Sequence, residues 1–316
     1  MKDKKFDVLV VGELNIDLIL DQMETFPQVG KETLAQKMLY TIGSSSAIFA
    51  CNLSTMGSRV GFCGRVGKDA FGDKILSDLA RKGVNTDHII RSHSADTGIT
   101  VVFNAGEERA MVTYPGAMNE LRAEDVTDQM LASASHLHVS SIFMQPALKP
   151  GLTTLLRRAQ EMGLTTSLDP QWDPAEVWDC DLHNLLPVIS VFLPNLEELK
   201  NLTNHSSLEN SLSSIREWVN IMVVKNGNAG AVLWTGRELL HQPAFLNPDI
   251  ADAIGAGDSF NAGFIHRFVQ DRSAKECLEF GALCGAINTT RSGGTTAFES
   301  YEVIKSIALQ KFNYQL

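Results

Sequence analysis

Three small residues, Gly255, Ala256 and Gly257, stand directly before the carboxylate of Asp258 in the stretch DAIGAGDSFNAGF, residues 252–264. If this stretch opens a helix, its first amides and the positive end of the peptide dipole form an anion site that needs no cationic side chain. Asp258 would then stand where a phosphoryl group is passed on, as the carboxylate that takes the acceptor hydroxyl's proton. The other reading of the same residues is a glycine-rich turn in which Asp258 only complements the helix dipole. A dinucleotide fingerprint is excluded by context, because it follows the first strand of a fold and this stretch lies near the C-terminus. A P-loop is excluded because no G-x-x-x-x-G-K-[ST] occurs.

Two further pairs have useful spacing. Asn15 and Asp17 lie two apart at the end of a strand-like run, FDVLVVGELN (6–15), so they share a face and can grip adjacent hydroxyls. Capping and turn formation is their other reading. Asn195 and Glu198, in LPNLEEL, lie three apart at a strand-to-helix junction, where hard oxygen ligands suit hydrated magnesium. The same spacing describes an N-cap followed by a solvated Glu. Lys225 ends the run IMVVK, either as a phosphate partner or as a solvated strand end.

The elements that must position these groups read as α/β. The continuous apolar run at 6–15 is expected of a strand buried on both faces of a parallel sheet, and HLHVSSIF, LTTSLDP, VFLPN and IMVVKNG repeat it between helix-like segments. Helix signals include Asp69 opening and Gly83 closing DAFGDKILSDLARKG, and Gly163 ending KPGLTTLLRRAQEMG. Residues 16–42 and 97–118 break the rhythm with short strands, the second folding back at NAGEER. They are expected to pair into a small discontinuous sheet flanking a large domain of residues 1–15, 43–96 and 119–316. AGAVLWTGRELLHQPAF reads as antiparallel strands, and Cys277, Phe280, Leu283, Cys284 and Ile287 as the core stripe of a helix.

Composition excludes several classes. With 316 residues, 44% hydrophobic and 20% charged, the chain suits a globular enzyme, and no apolar run reaches the roughly 20 residues of a bilayer span. A formal charge of −10 with no Lys/Arg cluster opposes a nucleic-acid partner. The basic start enters a strand-like run with no cleavage site, so a cytoplasmic location is expected. Five cysteines without C-x-x-C spacing are expected to be reduced and buried, and His136 and His138, on one face of a strand, to be structural rather than metal ligands.

Together these segments resemble the ribokinase-like, or PfkB, family of carbohydrate kinases over essentially the whole chain. The carriers are GELNIDLI, GSSSAIFACNLSTMG with VGFCGRVGKDAFGD, LPNLEEL, VVKNGNAGAVL and DAIGAGDSFNAGF. The resemblance implies a three-layer α/β/α fold with a mainly parallel central sheet and a β-sheet lid. It implies an ATP- and magnesium-dependent kinase acting on a hydroxymethyl group of a small sugar. Asp258 is the implied base, and the amides of Gly255, Ala256, Gly257 and Asp258 the anion hole. Asn15, Asp17, Gly43 and Ser44 are implied at the acceptor, and Asn195, Lys225, Gly227, Gly230, Gly255, Gly257 and Asn288 at the nucleotide. Glu198 and Asn195 would act on magnesium through water, and Asp252, with the TRSGGT segment, on a monovalent cation such as potassium. A homodimer through exposed lid edges is expected.

The chain departs from the family pattern where a sugar is recognised. Ser44 replaces the second glycine of the first signature, Ile48 an asparagine that contacts sugar, and Ala253 a Thr or Pro. In DPQWDPAEVW, Asp173 takes the place of an arginine. These changes leave the acceptor open between a sugar and a nucleoside, with a non-catalytic ligand-binding relative as the rival from another class.

Overall fold

The computed structural model describes residues 4–106 and 108–316. The first three residues of the basic start, and residue 107 within the NAGEER turn, lie outside the described residues. The strands are β1 (Phe6–Val11), β2 (Asn15–Asp21), β3 (Lys37–Ile42), β4 (Val60–Val66), β5 (Asn85–Arg91), β6 (Gly98–Ala105), β7 (Glu108–Tyr114), β8 (Ala134–Ser140), β9 (Thr165–Asp169), β10 (Val191–Phe192), β11 (Ile221–Lys225), β12 (Ala231–Trp234) and β13 (Leu239–Gln242). The helices are α1 (Ser45–Thr55), α2 (Ala70–Arg81), α3 (Asp128–Ala132), α4 (Leu152–Glu161), α5 (Leu182–Leu185), α6 (Leu196–Thr203), α7 (Leu208–Ile215), α8 (Ala256–Phe268), α9 (Ala274–Asn288) and α10 (Tyr301–Phe312).

Nine strands form one sheet in the order β13-β12-β11-β10-β9-β8-β1-β4-β5, parallel from β5 through β11 and antiparallel at β12 and β13. Successive β1 side chains point to opposite faces, and both faces are covered. Val8 and Val10 join a core with α1, α8, α9 and α10, while Leu9 and Val11 join another with α4, α6 and α7. This explains why the strand reads as an unbroken apolar run. The run is nonetheless two strands. It leaves the large sheet at Val11, and Asn15 begins β2 of the other sheet. Asn15 and Asp17 therefore sit at the start of a strand, not at the end of one, and still share a face.

The small sheet has the order β3-β2-β6-β7, with β2 and β6 parallel and its outer pairings antiparallel. Its register sets Asp17 opposite Thr41 and Thr100, and Thr100 opposite Thr113, a polar row across one face. Helix α2 is capped by Asp69, whose carboxylate accepts from Gly72 N at 2.8 Å. Among the described residues no helix is long and apolar enough to cross a membrane.

Candidate active site

The carboxyl ends of the parallel strands converge, as open α/β sheets require of a ligand site. Glu13 follows β1, Ser141 follows β8, Asp169 ends β9, Asn195 follows β10, and Lys225 ends β11. Helix α8 points its N-terminus at the same place. A cavity of about 480 Å³ is lined by Gln171, Asn195, Glu198, Lys225, Gly227, Gly230 and the run Gly255 to Asp258. Its far wall is apolar, with Phe245, Ile250, Ala282 and Ala286.

Gly255 is the N-cap of α8, at φ +74, a conformation open to glycine and strained for other residues. A side chain there would also meet Gly294 Cα at 2.8 Å and Ile48 Cγ2 at 3.1 Å. The Ala256 N–H donates to the Ala253 carbonyl at 3.2 Å, which leaves the amides of Gly257 and Asp258 as first-turn donors at the cavity. Asp258 is buried, and its pKa is pushed up to about 7, first by burial and then by the charge of Asp169, with Lys225 opposing and Glu13 adding to the rise. A carboxyl so placed is matched to taking a proton near neutral pH.

Asn195 caps α6 in a complete capping box. Its side chain accepts from Glu198 N at 2.8 Å, and Glu198 Oε2 accepts from Asn195 N at 2.8 Å. The N-cap reading of this pair therefore holds, but Glu198 is not solvated: it is 3% exposed and faces the cavity. Its pKa is raised by burial and then by Asp169. Lys225 is not a solvated strand end either. Its Nζ donates to Asp169 Oδ2 at 3.1 Å and to Asn261 Oδ1 at 3.2 Å, while the other oxygen, Asp169 Oδ1, is buried without a partner. The carboxylates of Asp169, Glu198 and Asp258 stand near the Lys225 ammonium, but among the described residues no group of three or more His, Cys, Asp or Glu is spaced to hold a metal ion directly, so a divalent cation here would be held through its water shell.

Asn15, Asp17 and Gly43 form a separate cluster outside the lining of this cavity. Asn15 Nδ2 donates to Thr100 Oγ1 at 2.8 Å and to Asp17 Oδ1 at 3.2 Å. Gly43 is required by closeness, since an added Cβ would lie 2.2 Å from Asp17 Oδ1. The Asp17 pKa is pushed up to about 6 by burial, with the Asn15 hydrogen bond and the charge of Arg109 opposing. Buried Glu13 accepts from Ser46 N, Ser46 Oγ and Ser141 Oγ, and its pKa too is raised by burial.

Other expected residues stand elsewhere. The Ser44 hydroxyl caps α1, accepting from Ala47 N and donating to the Glu13 carbonyl at 2.6 Å, so it is committed to the helix start rather than turned to an acceptor. Asn288 is fully buried behind the site. Its amide donates to the Ile254 carbonyl at 2.6 Å and its oxygen accepts from Ser259, so it holds the turn before α8 and does not line the cavity. Ile48 packs against Gly255 and Gly294, supporting that turn from behind. Asp252 is joined to the TRSGGT segment by the Gly293 N–H at 3.1 Å, and faces Arg109 of β7 at 3.4 Å. His136 and His138 are buried; His136 pairs with the Thr165 and Ser167 hydroxyls, and burial lowers its pKa to about 3, so it is neutral. All five cysteines are unbridged and four are buried.

Glu13, Asp169, Gln171 and Asn261 were not singled out as site residues by motif reading. Three carried a signal, a polar side chain at or just past the carboxyl end of an apolar strand run. Asn261 carried none, since only the packing of α8 brings it to Asp169.

The fold is of the ribokinase-like α/β class, and comparison with known proteins specifies the family. Residues 5–300 match the profile of the pfkB family carbohydrate kinases. The ATP-dependent ribose-1-phosphate kinase of Halopiger xanaduensis is 27% identical over 293 residues, covering 92% of this chain and 94% of that protein. The structure of Arabidopsis thaliana ribokinase complexed with ribose and ATP superposes with a TM-score of 0.84 at 21% identity, covering 98% of this chain and 99% of that one. The adenosine kinase of Sinorhizobium meliloti superposes with a TM-score of 0.79 at 22% identity, covering 92% and 95%. At such identities the superpositions speak for the fold, which sugar and nucleoside kinases share. The chain belongs to the pfkB family of carbohydrate kinases.

Proposed function

We propose that the protein transfers the γ-phosphoryl group of ATP to a hydroxymethyl group of a small sugar or sugar derivative. The observation that carries this reading is the buried carboxylate of Asp258 in the first turn of α8, beside the Gly257 amide, at the mouth of a cavity that also meets Asn195, Glu198 and Lys225. Asp258 takes the acceptor hydroxyl's proton as the new O–P bond forms and the bond to the leaving ADP breaks. The first-turn amides hold the charge on the transferring group. Glu198 and Asn195 would hold magnesium through water, and the metal would supply positive charge to offset that of the phosphates. The apolar wall of Phe245, Ile250 and Ala286 suits the adenine, with Gly227 leaving room along the nucleotide, while Gly230 lets the backbone of Gln242 pack closely beside it.

Asn15, Asp17 and Gly43 would hold the acceptor, and the small sheet, residues 16–42 and 97–118, would act as a lid that keeps water out. Exposed apolar side chains on that sheet, Met38, Val112 and Tyr114 among them, support a homodimer built through it. A cytoplasmic location accords with substrates of this kind. The Asp252 carboxylate already accepts from two backbone amides and faces Arg109, an arrangement that disfavours a required potassium ion there.

The test is a panel of free sugars, sugar phosphates, sugar acids and nucleosides with MgATP, read by ADP release and by the site of phosphorylation. Acceptor-dependent ADP release with a sugar phosphorylated at a primary hydroxyl is expected. Turnover of nucleosides alone, or of nothing in the panel, would sink the sugar reading.

A further inference from the structure

Beyond its first residue, Asp169, the segment DPQWDPAEVW has no part in the transfer as described, yet one of its side chains reaches Asp258. Gln171 Nε2 donates to Asp169 Oδ2 at 2.8 Å and to Asp258 Oδ1 at 2.9 Å. A primary amide has two N–H donors, and here each serves a different carboxylate. The two carboxylates repel, Asp169 being the leading charge that acts against ionised Asp258. A donor shared between them draws together groups that would otherwise turn apart.

The backbone that carries this amide is held in an uncommon way. Gln171 has φ +59, a left-handed conformation rarely adopted by residues other than Gly, Asn and Asp, and Glu176 and Trp178 in the same loop share it at +53 and +55. Asp173 holds the loop in this shape. It is 5% exposed, and its carboxylate accepts from the amides of Ala175 at 2.9 Å, Val177 at 3.1 Å and Trp178 at 2.7 Å. Trp178 then packs edge-on against Trp172 and Phe143, with ring centroids 4.9 and 5.6 Å apart. Asp173, in the place of an arginine, is thus the internal cap of the loop that aims Gln171.

We propose that Gln171 is a positioning residue for phosphoryl transfer: its amide clamps Asp258 to Asp169, holding Oδ1 of the base as an acceptor so that the other oxygen takes the proton from the acceptor hydroxyl. The inference rests on the reading of Asp258 as the base. It makes the donor chemistry at position 171, rather than its shape or size, what matters for turnover.

The experiment compares Gln171→Met, Gln171→Glu and Gln171→Lys with Asp258→Asn, using MgATP and the acceptor found in the panel. Met keeps the length without donors, Glu keeps the shape but sets acceptors against two carboxylates, and Lys restores donors in another shape. The expected result is a fall in kcat for Met of about 10- to 100-fold, the scale of a misplaced catalytic group, with both KM values within about twofold. Glu is expected to fall below Met, and Lys to stand above both. If the Met variant fails to fold, the ordering of Lys over Glu carries the decision. Wild-type kcat in the Glu variant, Glu equal to or above Lys, or a change confined to KM would overturn the proposal. An active Asp258→Asn would instead overturn the reading of the base, so the two failures are told apart.

Discussion

The carboxyl edge of the large sheet and the small four-stranded sheet both carry acidic side chains of the proposed site, yet they hold them in opposite ways. At the large sheet, Asp169, Glu198 and Asp258 are buried on strand ends and helix starts covered on both sides; Asp169 and Asp258 are joined through Lys225, Gln171 and Asn261, and Glu198 is held by Asn195. In the small sheet, Asp17 rests on a two-layer margin whose outer strand β7 is almost wholly exposed, and its tie to the loop before α8 is one pair, Arg109 with Asp252 at 3.4 Å. Burial raises the free-energy stakes of each charge, so the large-sheet site is stiff and tuned in pKa. The small sheet joins the core at its inner end through Ile16 and Ile42, while its outer strand stays exposed.

That contrast is tested most severely at Asp258. Asp258→Asn is expected to lower turnover by about 10²- to 10⁴-fold with acceptor binding largely kept, measured by steady-state kinetics and calorimetry. The acidic limb of kcat/KM for the wild-type enzyme is expected near pH 7, not near the ordinary carboxyl value of 3.8. The same group affects stability. Its folded pKa of about 7 lies above its ordinary 3.8, so the folded state binds more protons between these values, and stability falls as pH rises through that window. Asp258→Asn should therefore melt higher than the wild type at pH 8, with the gain vanishing toward pH 4; an equal gain at both would show that the carboxyl is not perturbed by its surroundings.

Next in size is Glu198→Gln. Glutamine at the third helical position can keep the Asn195 N–H contact of the capping box, so the start of α6 survives, while the change removes the charge and the bond that Glu198 Oε1 accepts from Asn195 Nδ2 at 2.6 Å. A loss of about 10- to 100-fold, partly recovered at high magnesium, is expected in a magnesium titration of kcat/KM. Arg109→Ala tests the looser region. An exposed pair contributes about 0.2–1 kcal/mol, so acceptor KM should rise by no more than about fivefold, with ATP hydrolysis without acceptor increased. A loss as deep as that at Asp258 would show that the small sheet is as tightly bound to catalysis as the strand ends. The smallest catalytic effect belongs to Val112→Lys on exposed β7, where kcat per subunit should be unchanged; for the homodimer proposed through this sheet, light scattering should report a shift from dimer to monomer, and a wild-type monomer would overturn that proposal.

Legibility followed the same divide between local and long-range structure. Asp258, Glu198 and Lys225 were readable because each follows a local pattern: a glycine-rich helix start, a capping box, or an apolar strand with a polar end. Ser44 and Asn288 misled because the same residue types that bind a ligand also cap helices and tie loops, and spacing alone does not tell which partner is nearest. The run 6–15 read as one strand because Gly12 and Glu13 are only a two-residue break in hydropathy, with no proline to end the extension; the change of sheet depends on which neighbours pair with Asn15.

The sequence by itself determined the alternation of strands and helices, the family to which the chain belongs, and the helix start that brings Gly257 and Asp258 together, all consequences of interactions within one or two turns of chain. Tertiary structure alone decided that Asp169, Gln171, Lys225, Asn261 and Asp258 form one hydrogen-bonded group, because they come from β9, its following loop, β11 and α8. It also decided the raised pKa of Asp258, since desolvation and the charges around that carboxyl exist only once distant segments have closed over it.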